Sequence, residues 1–189
     1  MGMKRIFGAA AAAALALYVA QPAAAADVFT LSSSAFKDGE LLAKKNAGAN
    51  KANPNCVGEN VSPPLQWSNP PAGTVSYVLL MIDPEGRGGL GVDHWLAYGI
   101  PASVTGFAEG EVGQPSEKYV GGKGTAGQGI YLGPCTPPGP PHHYTFTLIA
   151  TDLDPKALPP GLTKPELMEK LAGHTKSATG LIALFKNPL

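Results

Sequence analysis

Three polar side chains in this sequence stand where a predicted strand meets a loop rich in glycine and proline: Asp83, His94 and His142. Imidazole N–H groups donate hydrogen bonds to oxyanions, and backbone N–H groups in a glycine-rich loop add further donors. An aspartate repels an anion, so we expect Asp83 to hold a histidine in its donating tautomer or to bind an ammonium group. Together the three residues predict a small pocket for an anionic or zwitterionic ligand.

Common catalytic and metal motifs are absent or incomplete in the sequence. There is no GxSxG motif of a serine hydrolase, and residues 121–124 (GGKG) lack the Ser or Thr that follows the lysine of a P-loop. His142 and His143 resemble a metal pair, but neighbouring side chains on a strand point to opposite faces. We therefore expect His143 to face away from the site, and we predict no metal and no cofactor.

The composition limits the class of protein and of partner. The chain has 189 residues, of which 24 are Gly and 19 are Pro, and this excludes a coiled coil or a long-helix bundle. Its 14 basic and 14 acidic side chains balance, and charged residues are only 15% of the chain. A nucleic-acid-binding surface would need an excess of basic residues. A small molecule or a protein is therefore the expected partner.

The first 26 residues have the pattern of a secretory signal peptide. Lys4 and Arg5 precede an uncharged stretch at 6–20, and small alanines at 24–26 come before Asp27. The apolar stretch is shorter than the roughly 20 residues needed to cross a bilayer, so we do not expect a membrane-spanning segment. The pattern predicts an exported protein, periplasmic or secreted, with a single domain at 27–189.

Export changes the interpretation of the two cysteines, Cys56 and Cys135. In an oxidising compartment, two cysteines most economically pair with each other. Two unpaired buried cysteines are the alternative that the sequence leaves open.

The predicted secondary structure is mostly β. Apolar runs bounded by glycine and proline predict strands at 28–36, 75–82, 94–100 and 144–150, separated by long loops at 83–93, 101–129 and 133–141. Near the C-terminus, Thr163 and Glu166 form a capping-box pattern for a short helix that ends near Gly173. Residues 177–185 fit either a second helical piece or a last strand.

Four motifs in order give the sequence a family resemblance. Residues 56–67 (CVGENVSPPLQW), 83–85 (DPE), 94–95 (HW) and 133–144 (GPCTPPGPPHHY) resemble the phosphatidylethanolamine-binding protein family, most closely its exported bacterial, Raf kinase inhibitor-like branch. The match runs from Val28 to Phe185. It implies an all-β dominated fold, an antiparallel β-sandwich with Greek-key connections, short helices and a helical C-terminal segment.

The resemblance also implies an anion pocket at one end of the sandwich. Carried over to this sequence, its residues are Asp83, Pro84, His94, Trp95, Gly133, Pro134, His142 and Tyr144. The sequence departs from the family pattern at residues 85–87 (EGR), at Thr136 and at Phe185, where the family commonly has Tyr. Arg87 would add a cation at the rim, and Phe185 would remove a hydroxyl donor.

Three classes of function follow. The first is an exported, non-enzymatic binding protein for phosphate-bearing or zwitterionic ligands such as phospholipid headgroups. The alternative is an inhibitor of a protease that uses rim residues such as Arg87 and Tyr119. A hydrolase built on Asp83 and His94 would need a nucleophile, for which Ser62 is the only candidate nearby by family geometry.

Overall fold

The structure is a computed structural model that describes Met1, Gly2 and residues 27–188. The predicted signal peptide and its cleavage site therefore lie outside the described residues, apart from Met1 and Gly2. Within the described residues the strands are β1 (Thr30–Ser32), β2 (Glu40–Leu41), β3 (Leu65–Ser68), β4 (Ser76–Asp83), β5 (Val92–Pro101), β6 (Gly106–Phe107), β7 (Val120–Gly121), β8 (His142–Thr151) and β9 (Thr175–Phe185). The helices are α1 (Gly86–Gly89) and α2 (Lys164–Leu171), with 3-10 turns at Lys44–Asn46 and Glu111–Gly113.

The strands form two sheets. The smaller sheet has the order β1-β3-β6, and the larger has the order β2-β9-β8-β4-β5-β7. Neighbouring strands are antiparallel, except that β2 runs parallel to β9. The long strands β8, β4 and β5 lie next to one another and are antiparallel. The end of β4 and the starts of β5 and β8 therefore lie at the same end of the sheet.

One apolar core lies between the two sheets. Trp67 of the smaller sheet packs edge-on against Tyr77 of the larger one, with ring centroids 5.6 Å apart, and Phe107 packs similarly against Trp95 at 5.7 Å. The opposite face of the larger sheet is covered by α2, whose Leu167 and Leu171 are buried with residues of β4 and β5. Because β4 is covered on both faces, its sequence is a continuous apolar run rather than an alternating one.

The sequence predictions for the central strands are confirmed. The runs at 75–82, 94–100 and 144–150 fall within or beside β4, β5 and β8. The predicted first strand at 28–36 is shorter, since only Thr30–Ser32 pairs with β3. The strand-dominated fold in open sheets with few helices is thus as expected, and the Greek-key connection stays a prediction.

The C-terminal segment combines a confirmed helix with a strand. The capping box at the start of α2 is formed, with Oε2 of Glu166 accepting from the backbone N–H of Thr163 at 2.8 Å. After Gly173, whose φ is +82°, the chain enters β9 and stays extended to Phe185. The expectation of a helical C-terminal segment is wrong for 175–185, because this segment fills the position between β2 and β8 and completes the sheet. Among the described residues, no helix has the length and apolar character needed to cross a membrane.

Candidate ligand-binding site

Asp83 ends β4 and organises the loop that follows. Its Oδ1 atom accepts hydrogen bonds from the backbone N–H groups of Glu85 and Gly86, both at 2.9 Å. Its Oδ2 atom lies 2.8 Å from Nδ1 of His142 on β8. The carboxylate is buried, with 4% of the residue exposed, and these three hydrogen bonds offset the cost of burying it.

The tautomer of His142 follows from this contact. A carboxylate can only accept, so Nδ1 carries a proton that it donates to Asp83. In the neutral ring, the nitrogen left for a ligand is then Nε2 with its lone pair. Nε2 becomes a donor only when the ring takes up a second proton. The expectation that Asp83 holds His142 in a tautomer that donates to the ligand is therefore wrong for the neutral ring.

His94 is held in a similar way on β5. Its Nδ1 lies 2.8 Å from the carbonyl oxygen of Leu132, to which it must donate. Burial lowers the pKa of His94 below its ordinary value, and the Leu132 carbonyl and the nearby Asp83 charge, which act to raise it, do not compensate. His94 is thus a neutral ring whose Nε2 is an acceptor.

Tyr144 joins His94 to a neighbouring threonine. The two rings pack edge to face with centroids 5.1 Å apart. The Tyr144 hydroxyl lies 2.6 Å from Oγ1 of Thr136. Burial raises the pKa of Tyr144 well above its ordinary value, the contact with Thr136 lowers it in part, and the charge of Asp83 raises it further. The phenol therefore stays protonated. Thr136, which the sequence showed only as a departure from the family pattern, is a residue of the site.

Glu85 is a second carboxylate at the site. Its Oε1 atom lies 2.6 Å from Nδ1 of His143, and its Oε2 accepts from the His143 backbone N–H at 3.2 Å. Burial acts to raise the pKa of Glu85, but the hydrogen bonds from His143 outweigh it and the pKa lies below its ordinary value. His143 itself is about half exposed and does not line the cavity, as the alternation along a strand predicts.

These side chains surround one open cavity of about 590 Å³. Of the predicted residues, the structure brings together Asp83, His94, His142, Tyr144 and Arg87. Sequence reasoning missed several others that also line the cavity, among them Asn50, Asn53, Glu85 and Thr136. Asn50 and Asn53 could not be found from a strand-end pattern, since they lie in a loop far from any strand.

Trp95 was predicted to contact the ligand, and the structure contradicts this. It follows His94 on β5, where the pairing with β4 shifts register between Met81 and Ile82, and it does not line the cavity. The ring is fully buried and packs against Phe107 and Tyr119, with centroids 5.7 and 5.6 Å away. Tyr119 was expected at the rim and is likewise buried. Both residues belong to the core between the sheets.

Three other predicted residues do not line the cavity. Pro84 is exposed on the loop after β4. Gly133 and Pro134 are buried behind the wall, where the Gly133 N–H donates to Oδ1 of Asn60 at 2.8 Å and the Pro134 carbonyl accepts from Gly48 at 2.8 Å. The role of Gly133 and Pro134 is to position the loop that carries Thr136.

The cysteines pair, as expected for an oxidising compartment. Cys56 and Cys135 form a disulfide between positions 79 residues apart. Both cysteines line the cavity. The bond therefore joins two loops that form one of its walls.

The loop at 84–91 shapes the mouth of the cavity. A Cβ atom on Gly86 would lie 2.6 Å from Cγ2 of Val92 and 3.1 Å from Oδ2 of Asp83, so only glycine fits there. Arg87 adopts a left-handed conformation with φ of 56°, which is uncommon for a residue with a side chain. This turn leaves the Arg87 side chain exposed at the rim.

The geometry of the site also bears on two other chemistries, metal binding and hydrolysis. Ligand atoms of Asp83, Glu85 and His142 lie within 4.8 Å of one another, a spacing that a metal ion could bridge. However, Nδ1 of His142 already donates a proton to Asp83, and metal binding there would have to displace it. Ser62, the nucleophile of the hydrolase reading, is fully buried, accepts from the Val112 N–H at 3.3 Å and does not line the cavity.

The described residues form a strand-dominated fold with a polar cavity at one end of the central strands of the larger sheet. The family model described as phosphatidylethanolamine-binding protein matches residues 32–186. The chain therefore belongs to the phosphatidylethanolamine-binding protein family. Phe185, where that family commonly has Tyr, is buried beside His142 in the sheet and does not line the cavity.

Individual relatives agree with this assignment. A UPF0098 protein of Methanothermobacter thermautotrophicus is 36% identical over 135 residues, which are 69% of this chain and 86% of the relative. A protein of Mycobacterium tuberculosis named as a lipoprotein, LppC, is 34% identical over 166 residues, or 87% of this chain and 76% of the relative. The crystal structure of Escherichia coli YbcL, described as a member of the mammalian PEBP family, superposes with a TM-score of 0.73 at 27% identity, covering 84% of this chain and 98% of YbcL.

Proposed function

We propose that this protein is an exported binding protein that takes up small phosphate-bearing or zwitterionic ligands, such as phospholipid headgroups, without chemical turnover. The observation that carries this proposal is the presence of groups of both charges around one cavity. Asp83 and Glu85 line it. Arg87 lies at the rim, and no ion pair within residues 27–188 involves it. A ligand with both an ammonium and a phosphate group matches this distribution.

The carboxylates that line the cavity are suited to bind an ammonium group. An ionised carboxylate offers about four lone-pair sites, and Asp83 uses three of them within the protein. The neutral ring of His94 adds an acceptor at Nε2. Because Asp83 is buried, its attraction for a cation is screened less than it would be in water.

Arg87 at the rim of the cavity is suited to bind a phosphate. A guanidinium presents five N–H donors in a plane that matches a phosphate. Arg87 is exposed and has no carboxylate partner in the described part of the chain, so binding a phosphate would not require it to break an ion pair. The size of the cavity also fits, since small-molecule sites commonly measure about 300–1,000 Å³.

Export is supported by two observations. The disulfide is a bond that persists in oxidising compartments. One relative is named as a lipoprotein, a class that is attached to membranes outside the cytoplasm. We propose a periplasmic or secreted location for this chain, which N-terminal sequencing of the protein recovered from periplasm and medium would test.

The proposal is tested by NMR titration of the purified, oxidised protein with phosphate, ethanolamine and phosphoethanolamine. We expect saturable shifts of the His142 imidazole signals, with phosphoethanolamine binding more tightly than either half of it. The His142→Ala variant should lose this response. A matched control is His174→Ala, because His174 is an exposed residue that pairs with Asp152 beyond the opposite end of β8. A folded protein that responds to none of the three compounds would refute the proposal.

A further inference from the structure

The larger sheet is only partly covered at its β9 side. β9 lies between β8 and β2, but β2 pairs only with Ala183 and Leu184, near the end of β9. Among the described strands, the first half of β9 pairs with β8 alone. Most of this half, including Ala178 and Gly180, is exposed. The sheet therefore ends in an open strand at 176–180, which we call the β9 edge.

The backbone groups on the β9 edge point away from β8 and are unpaired. The N–H of Ile182 donates to Oδ1 of Asp38 at 2.7 Å, and its carbonyl accepts from the N–H of Gly39 at 2.8 Å. Backbone groups alternate sides along a strand, and the pairing of β9 with β8 is regular from 177 to 185. The groups of Gly180 and Ala178 therefore point to the same side as those of Ile182. Within residues 27–188, no hydrogen bond from that side reaches them.

The side chains of this segment do not block the edge. Natural sheet edges are commonly protected by lysine or proline, but residues 177–180 are Ser, Ala, Thr and Gly. Lys176 is held in an ion pair with Asp152, which His174 also contacts. β1 comes close to β9 from the smaller sheet but pairs with β3 alone. A further strand that pairs with 177–180 would meet only small, uncharged side chains there.

From this geometry we propose that the β9 edge pairs antiparallel with the β9 edge of a second copy of this chain. Antiparallel pairing of a segment with itself has a twofold axis, which closes the assembly as a dimer. Ala178 of each copy then exchanges backbone hydrogen bonds with Gly180 of the other, and Thr179 lies opposite its counterpart. The two larger sheets become continuous at the end of β9 away from the cavity, so this inference does not depend on the proposed function.

Charges at the two ends of the edge favour a second copy over an unrelated strand. At the Ile182 end, the carboxylate of Asp38 forms no ion pair within the described residues, and its neighbours Lys37 and Glu40 offset each other in charge. The opposite end carries Lys176 and a histidine that share one carboxylate. The twofold axis places Lys176 of one copy opposite Ile182 of the other, so the basic end of each copy meets the acidic end of its partner.

The test changes the charge at the centre of the edge. Ala178→Lys and Ala178→Glu place like charges diagonally across the axis on one face of the joined sheet, where long side chains still interact. An equimolar mixture of the two variants pairs opposite charges instead. Ala157→Lys and Ala157→Glu are the matched controls, because Ala157 is exposed on the loop whose Pro155 contacts Gly99 of β5. Sedimentation of the purified, oxidised proteins over a range of concentrations measures the dissociation constant of the dimer, and circular dichroism checks the fold.

We expect the unaltered protein to dimerise and each Ala178 variant alone to raise the dissociation constant at least about tenfold. The mixture should return it to within about threefold of the unaltered value, and the controls should leave it unchanged. A protein that stays monomeric at all concentrations overturns the proposal. So does a dimer that the Ala178 variants leave intact, or one that the mixture fails to restore, since its interface would lie elsewhere or its partner strand would differ.

Hydrogen exchange of the unaltered protein gives a second measurement that needs no variant. The backbone N–H groups of Ala178 and Gly180 should exchange at least about tenfold more slowly in concentrated than in dilute solution, because the dimer pairs them. The N–H of Ile182 is already bonded within one chain and serves as the internal control. Equal exchange of Ala178 and Gly180 at both concentrations, in a protein that sediments as a dimer, overturns the proposal.

Discussion

Nδ1 of His142 lies 2.8 Å from Oδ2 of Asp83, although the two residues are 59 positions apart in the sequence. This contact determines what the cavity can do. It fixes a proton on Nδ1, leaves Nε2 as an acceptor in the neutral ring, and joins the first residue of β8 to the last residue of β4. The acid–base state of one side chain and the attachment of the glycine-rich loop thus depend on the same carboxylate.

Asp83→Asn should reverse the tautomer of His142. The asparagine oxygen still accepts from the N–H groups of Glu85 and Gly86, so its amide nitrogen replaces Oδ2 and donates to His142. Nδ1 must then be an acceptor, and the proton moves to Nε2. ¹⁵N spectra of the imidazoles measure this directly, and the stability should fall by roughly 1–2 kcal/mol as a charged hydrogen bond becomes a neutral one. The signals of His174 serve as the control and should not move; unchanged His142 nitrogen shifts would contradict the assignment.

The pH dependence of stability should contain a contribution from His94. Its pKa in the folded protein lies below the unfolded value of about 6.5. As the pH falls through about 6.5, the unfolded chain takes up a proton that the folded protein does not, so stability is lost on the acid side. His94→Asn keeps a donor to Leu132 and removes the titration. Urea unfolding from pH 7.5 to 5 should show a smaller loss for the variant than for the unaltered protein, and parallel curves would disprove the assignment.

Removing the disulfide should destabilise the protein and loosen the cavity wall. The bond closes a loop between positions 79 residues apart, and chain entropy predicts a loss of roughly 4 kcal/mol in the free energy of unfolding. A variant with Cys56→Ser and Cys135→Ser should show this loss in urea unfolding and should also bind phosphate more weakly. Reduced, unaltered protein is the matched comparison. A loss below about 1 kcal/mol in both would mean that the two loops hold together without the bond.

Gly86→Ala should weaken binding by crowding the carboxylate. The added methyl group would contact Cγ2 of Val92 and Oδ2 of Asp83, and overpacking of this kind costs roughly 1–3 kcal/mol. Adding Val92→Ala removes the closer of the two contacts and should restore part of the stability and of the phosphoethanolamine affinity. Thermal unfolding and calorimetry measure both. The crowding explanation would be abandoned if the second substitution gave no recovery.

The sequence was informative wherever structure is local. The capping box of Thr163 and Glu166 predicted the start of α2, because both partners lie within one turn. The runs that became β4 and β5 could be found because strands covered on both faces are largely apolar. The run that became β8 is a strand-forming stretch of aromatic and β-branched residues whose burial alternates. The last strand was ambiguous, since residues 175–185 are extended through pairing with β8 and β2 and not through any local signal.

Site residues were harder to predict. Asp83, His94 and His142 were found because each lies at or beside the end of a long strand and carries a group with acid–base chemistry. Trp95 was wrongly assigned to the site, because the family motif places it beside His94, whereas its ring is buried against Phe107 in the core. Asn50 and Asn53 were missed, because a loop asparagine carries no periodic signal.

The sequence by itself determined the family, the central strands and the helix, since these depend on residue types and on spacings along the chain; it favoured the cysteine pair, which the structure shows. Only the tertiary structure decided which atoms face the cavity. The proton on Nδ1 of His142 depends on Asp83, and the neutral state of His94 depends on its burial among residues brought close by folding. Hydrogen bonds and burial act over a few ångströms in space, so residues that are distant in sequence set the chemistry of the site.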